Sequence, residues 1–139
     1  MMTVREAALR LLLEYEESGK YVNLSLSSHI ADNFSSDERS FLTVLLYTTV
    51  ERKLTYDYYI AALSGRSIDS VIAHTKNLLR LGLSQILHIN SVPDHAAVNE
   101  TVKLAKNAGE RSFVNGILRA AVRKKDAGEL PLKADFEVI

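Results

Sequence analysis

The chain has 139 residues, 17 Lys and Arg balanced by 17 Asp and Glu, four His and no Cys. That length suits one domain, and 47% apolar residues are enough for a core, while the lack of cysteine excludes disulfides, thiolate metal sites and a thiol nucleophile. No apolar run reaches the roughly 18 residues of a membrane span and no leader pattern opens the chain, so a cytoplasmic protein with no membrane partner is expected.

The hydrophobic pattern is helical nearly throughout. Thr3 and Glu6 form a capping box ahead of Val4, Ala7, Ala8, Leu11, Leu12 and Tyr15, which share one helix face, and Ser18-Gly19 ends that helix. Asn23 caps a short second helix carrying Leu24, Leu26, Ile30 and Ala31. Ser35 and Glu38 make a second capping box for a long helix through Phe41, Leu42, Leu45, Leu46 and Thr49. Val44–Val50 is rich in β-formers, but its flanks keep the helical period. Thr55 is read as the cap of a helix through Tyr58, Tyr59, Ala62 and Leu63, closed by Gly65. Next comes a helical run from Val71 to Leu87 that stops near Asn90–Pro93. Asp94 is read as the cap of a helix through Val98, Val102 and Ala105, with Gly109 as its terminating residue. Phe113, Val114, Ile117, Leu118, Ala121 and Val122 line a last helix, whose period overrides the turn signal of Asn115-Gly116. The expected fold is all-α, a compact bundle of about seven helices over residues 1–125, followed by a linker or docking tail over 126–139.

The neutral total hides a segregated charge: residues 1–70 carry a net −3, residues 71–125 a net +6 and residues 126–139 a net −3. A polyanion responds to local field, so the third quarter of the chain is the place to look for a partner. Catalytic chemistry finds little purchase. His29, His74, His88 and His95 show no metal-ligand spacing, and even on one unbroken helix His74 and His88 stand about 21 Å apart. No phosphate-cradling Gly-rich loop occurs, and Glu16-Glu17 and Asp37-Glu38 sit at helix ends where capping and solvation account for them. Neither a catalytic set nor a metal ligand set is expected.

The informative stretch is LRLGLSQILHINSVPDHAAVNETVKLAKNAGERSFVNGILRAAVRKK, residues 79–125. Gly82 inside an apolar helix costs about 1 kcal/mol relative to Ala, which marks a close helix–helix approach or a local break. Lys103 and Lys106 lie three apart, and Arg111, Asn115, Arg119 and Arg123 recur at four-residue steps as a basic stripe opposite Val114, Ile117 and Leu118.

Arg80–Gly82, Gln85–Leu87, Val92-Pro93, His95–Glu100, Val102–Lys106 and Phe113–Arg119, with Arg5–Ala8, Glu38-Arg39, Phe41 and Leu46-Tyr47, resemble the NusB-like RNA-binding domain over about residues 3–125. The resemblance implies two small helical subdomains and two alternative roles. VPDHAAVNETVKLAK looks like the N-terminal domain of 16S rRNA cytosine-5 methyltransferases of the Fmu or Sun type, and Gly128–Leu132 like their interdomain linker. That branch implies 16S rRNA and a methyltransferase domain in cis as partners. S-adenosylmethionine is then expected on the catalytic domain and no cofactor on this chain. The other branch is a free antitermination factor binding box A RNA with ribosomal protein S10. Its usual basic N-terminal cluster is reduced here to Arg5 and Arg10, and Tyr47-Thr48 stands where the family commonly has Tyr-Gly. A module that docks a protein partner is a third reading.

Stripe and resemblance together give an RNA-facing set of Arg5, Arg80, Lys103, Lys106, Arg111, Phe113, Asn115, Arg119 and Arg123. The arginines would hold phosphates, and Phe113 would either stack on a base or sit in the core. Asn99 and Asn115 would read bases or bridge helices, with bridging favoured, and Arg80 beside Gly82 is also a candidate helix-junction contact.

Overall fold

A computed structural model describes residues 2–18, 30 and 32–130. Among them are six α-helices, α1 (Val4–Ser18), α2 (Ser36–Glu51), α3 (Lys53–Ser64), α4 (Ala73–His88), α5 (Asp94–Val102) and α6 (Ala108–Asp126), a 3-10 turn at Ile68–Ser70, and no strand. The all-α class is as expected. The helix expected after Asn23 lies, apart from Ile30, outside the described residues, as do residues 131–139 of the tail.

Both capping boxes form. The Glu6 amide donates to the Thr3 hydroxyl at 3.1 Å while the Glu6 carboxylate accepts from the Thr3 amide at 3.0 Å, and Ser35 and Glu38 repeat the exchange at 3.1 and 2.8 Å. Gly65 closes α3 at φ 71°, where a Cβ is disfavoured. Three boundary expectations are corrected. Thr55 lies inside α3, which is separated from α2 by the single residue Arg52, the shared cap of both helices. Asp94 is the first residue of α5, because Pro93 holds the extended cap conformation. Gly109 lies in the first turn of α6 and does not end α5, since Asn107 caps α6 by accepting from the Glu110 amide at 2.9 Å.

α4 is the centre of the bundle and packs against all five other helices. α1 also packs on α2, α5 on α6, and α3 on α6, so the two helical groups share α4 and one core. α4 is therefore buried on every side, from Asn77 continuously through Ile86. Gly82 serves a close approach, not a break: α4 is continuous through it, and a Cβ there would lie 2.6 and 2.7 Å from the two methyls of Leu118 on α6. α6 lays Val114, Ile117, Leu118 and Ala121 into the core and leaves the stripe outside. No described helix is long and apolar enough to cross a membrane.

Candidate nucleic-acid interface

A helix without a solvent face must satisfy its polar groups internally, and α4 does so through long-range pairs. The Arg80 fork donates to both carboxylate oxygens of Asp57, at 2.7 and 2.9 Å, and to Asn77 Oδ1 at 3.1 Å, with Glu16 Oε1 at 3.7 Å. Burial pushes the Glu16 carboxyl up, but hydrogen bonds from Lys76 and Asn77 and the charges of Lys76 and Arg80 outweigh it and hold it below 4.5. Arg80 is 5% exposed. Its place in the RNA-facing set is thereby corrected: it is the junction between α1, α3 and α4, with no accessible fork to offer a phosphate. Gln85 donates to the Leu81 carbonyl and the Thr101 hydroxyl, each at 3.0 Å, and accepts from Arg5 Nε at 2.8 Å. At the end of α4, His88 Nδ1 meets the Tyr56 hydroxyl at 2.7 Å. Burial and then the Arg52 charge lower His88, while burial raises Tyr56, so both shifts favour a neutral pair sharing one hydrogen bond.

The remaining residues of the set fall into three places. Arg5, Lys103 and Lys106 line one groove of about 630 Å³ between α1 and the α5–α6 connection, joined by Arg10 and His74 and opposed by Glu6 and Glu100. Arg5 is half-buried there, with its guanidinium carbon 5.3 Å from the Phe41 ring centre. Burial lowers Arg5 and the Glu100 charge partly restores it. Lys103 donates to Glu100 at 2.7 Å, and that bond and charge hold Glu100 below its ordinary value.

Phe113 is half-buried against the core and lines a second groove of about 350 Å³ with Arg66, Ile72, Thr75, Lys106 and Glu110. The Arg66 guanidinium lies 5.2 Å from the Phe113 ring centre, so the ring is partly core and partly covered by a cation. Glu110 lines this second groove and accepts from His74 Nδ1, the Thr75 hydroxyl and the amide of Lys106, the residue that lines both grooves. Burial pushes its carboxyl up, but these three donors outweigh that and hold it below 4.5.

The stripe is the third place. Arg111, Arg119 and Arg123 are exposed on α6, and Asn115 is half-buried. Arg119 and Arg123 line a groove of about 340 Å³ with Asp94, His95, Val98, Val122 and Asp126. Arg119 Nε donates to Asn115 Oδ1 at 2.9 Å within α6 and Nη2 to Asn99 Oδ1 at 3.3 Å across to α5, so Asn99 bridges two helices while Asn115 bonds along its own. Lys125 donates to Asp94 at 2.7 Å and to the Ile86 carbonyl at 3.1 Å, tying the end of α6 to the α4–α5 turn.

Arg10, Arg66, Asn99 and the His74–Thr75–Glu110 cluster were not in the expected set. Asn107 followed three residues later by Glu110 is a cap signal that would have placed Glu110 at a helix start. Arg66 follows Gly65 in a loop and carries no periodic signal. Among the described residues no cluster of three or more His, Cys, Asp or Glu is arranged to hold a metal ion.

The sequence profile of the NusB family matches residues 2–123. The chain is 38% identical over 126 residues to a probable ribosomal RNA small subunit methyltransferase B of Bacillus subtilis (strain 168), covering 88% of this chain and 28% of that protein. A protein of the same description from Synechocystis sp. is 31% identical over 93% of this chain and 30% of its own length. The chain thus spans under a third of these methyltransferases. A transcription antitermination protein NusB of Dehalococcoides mccartyi is 32% identical over 82% of this chain and 83% of its own length. Among solved structures, T. maritima NusB superposes with a TM-score of 0.78 at 21% identity, covering 91% of this chain and 95% of that one. A chain in the crystal structure of a plectonemic RNA supercoil superposes with a TM-score of 0.71 at 23% identity, covering 89% of this chain and 94% of that one. At these identities the superpositions establish the fold.

Proposed function

The chain belongs to the NusB family, and from that premise we propose that it is an RNA-binding domain that positions 16S rRNA for an S-adenosylmethionine-dependent cytosine-5 methyltransferase domain in cis, in the cytoplasm. The observation that carries this reading is the 38% identity over 88% of the chain to a methyltransferase more than three times as long. In this reading S-adenosylmethionine would be held by that methyltransferase domain, and this chain would contribute RNA contacts. The contribution of this chain is electrostatic: exposed cations along α6 and in the α1 groove hold phosphates, which fixes register without reading sequence.

The test is binding of a small-subunit rRNA fragment by fluorescence anisotropy across salt. The expected result is an association constant that falls with salt by about 0.7 to 0.9 log units per log unit for each phosphate held. No binding, or a flat salt dependence, refutes it.

A second reading is favoured by the antitermination protein matched over 83% of its own length. In that case the chain acts as a free factor, prefers box A RNA over the rRNA fragment and retains ribosomal protein S10. Equal affinity for both RNAs and no S10 retention would exclude it.

A further inference from the structure

α5 separates two of the grooves. Glu100 and Lys103 line the one against α1, whereas Asp94, His95 and Val98 line the one against α6. His95 and Glu100 are five residues apart, which at 3.6 residues per turn puts them about 140° apart around the helix axis. No residue lines both grooves.

On the α6 flank the Arg119 guanidinium is held from two helices by Asn115 and Asn99. Both acceptors are neutral amides, so they orient the fork without cancelling its charge. Arg80 on Asp57 and Lys103 on Glu100 are instead compensated by carboxylates, and among the described residues no carboxylate pairs with Arg119. Asp94, at one end of the groove, is already occupied by Lys125. That leaves Asp126 as the acidic group of the lining against Arg119, Arg123 and His95, over a floor of Val98 and Val122. A preoriented guanidinium that still has N–H donors to give suits a phosphate oxygen pair. The stripe runs from Arg111 through Arg119 to Arg123 on α6, a repeated spacing of charge that fits a polyanion better than a single acidic side chain.

We infer that the α5–α6 groove is a second RNA-phosphate site, on the other flank of α5 from the α1 groove, in which Arg119 and Arg123 hold phosphates and Asn99 and Asn115 are positioning residues for Arg119. This rests on the RNA-binding reading and adds a substrate class to it. An RNA that reaches both grooves passes around α5, so the site selects a hairpin or folded junction over a short single strand.

The experiment is an anisotropy titration of a labelled small-subunit rRNA hairpin between about 50 and 200 mM salt. Arg119→Ala is expected to weaken binding roughly tenfold at low salt and to reduce the salt slope by about one. Asn99→Asp replaces a neutral acceptor with a carboxylate that compensates Arg119. It is expected to produce a similar loss with an unchanged melting temperature, and little further loss in the Arg119→Ala background. Asn99→Gln, which keeps the neutral acceptor, is expected to retain most of the affinity. If the unaltered chain binds the hairpin and both variants match it in affinity and slope, the second site is refuted alone. If the Asn99→Asp loss adds in full to that of Arg119→Ala, the positioning role is refuted. If Arg119→Ala abolishes binding of an acidic peptide and leaves RNA binding intact, the groove takes a protein and the inference is overturned. If the unaltered chain binds no RNA, the functional reading fails and the site with it.

Discussion

Gly82→Ala sets two effects of known sign against each other. Alanine is about 1 kcal/mol better than glycine inside a helix, and Gly82 lies in the middle of α4, so propensity alone makes the substitution stabilising. The added methyl would lie 2.6 and 2.7 Å from the Leu118 Cδ atoms and 3.2 Å from Cγ. Carbon atoms prefer roughly 3.5–4.0 Å, so helix α6 or the Leu118 side chain must move by about 1 Å. Leu118 is fully buried among the core side chains, so a turn of its side chain has to be met by its neighbours. Overpacking of this kind costs about 1–3 kcal/mol, and close contact with three atoms of one side chain places it in the upper half of that range. The net expectation is a loss of about 1–2 kcal/mol, or a melting temperature lower by roughly 3–7 °C for a chain of this size. Thermal unfolding followed by circular dichroism reads the shift. The decisive control is Leu118→Ala, which removes the obstructing atoms: in that background Gly82→Ala is expected to stabilise by about 1 kcal/mol, reversing its sign. A stabilising Gly82→Ala in the unaltered chain would refute the close-approach argument.

Two further outcomes follow from the polar pairs. Arg80→Ala strands the Asp57 carboxylate in a partly buried site and is expected to cost about 3 kcal/mol, read as a lower urea midpoint, with Arg80→Lys recovering only part because it lacks the planar fork. An Arg80→Ala midpoint within error of the unaltered chain would sink this. Glu110 has a folded value below its ordinary 4.5, so protonation favours the unfolded chain. Its contribution is complete above about pH 4.5 and is lost as pH falls through the folded value. Glu110→Gln is expected to lower stability at neutral pH by about 1–2 kcal/mol and to flatten the acid limb of a stability–pH profile. An unchanged acid limb would refute the assignment.

Local signals were legible where one residue type serves one local purpose. The Thr3/Glu6 and Ser35/Glu38 boxes, the left-handed Gly65 and the buried face of α6 all appear as the sequence predicts. Gly109 misled because glycine marks helix ends, while here Asn107 two residues earlier already opens the next helix. Asp94 misled because the proline before it holds the extended angles of a cap. The limits of the pattern are clearest in α4. Periodicity depends on a contrast between a wet and a dry face, and α4 has no wet face over its buried middle, so the spacing alone leaves Arg80 open between a phosphate contact and a helix junction. Its partner Asp57 is 23 residues away, and Arg5 meets Gln85 across 80, separations that leave no spacing signal. The basic stripe was readable from four-residue steps on one helix. Its amide clamp was not, because Asn99 comes from a different helix.

The position of α4 also sets how freely the rest of the chain can change. Every other described helix leans on it, and its own residues answer simultaneously to five neighbours, so a substitution there disturbs several interfaces at once. Exposed positions of α1 and α6 that bond to no other helix answer mainly to solvent, and exchanging one exposed side chain for another usually alters stability by less than about 0.5 kcal/mol. The molecule therefore divides into a part that is hard to rewrite and a part that is cheap to rewrite. New charge patterns can be tried on the outer helices, one residue at a time, while the axle beneath them stays as it is. That division gives a physical route by which one bundle can serve as a segment of a long enzyme in some proteins and stand as a complete factor in others.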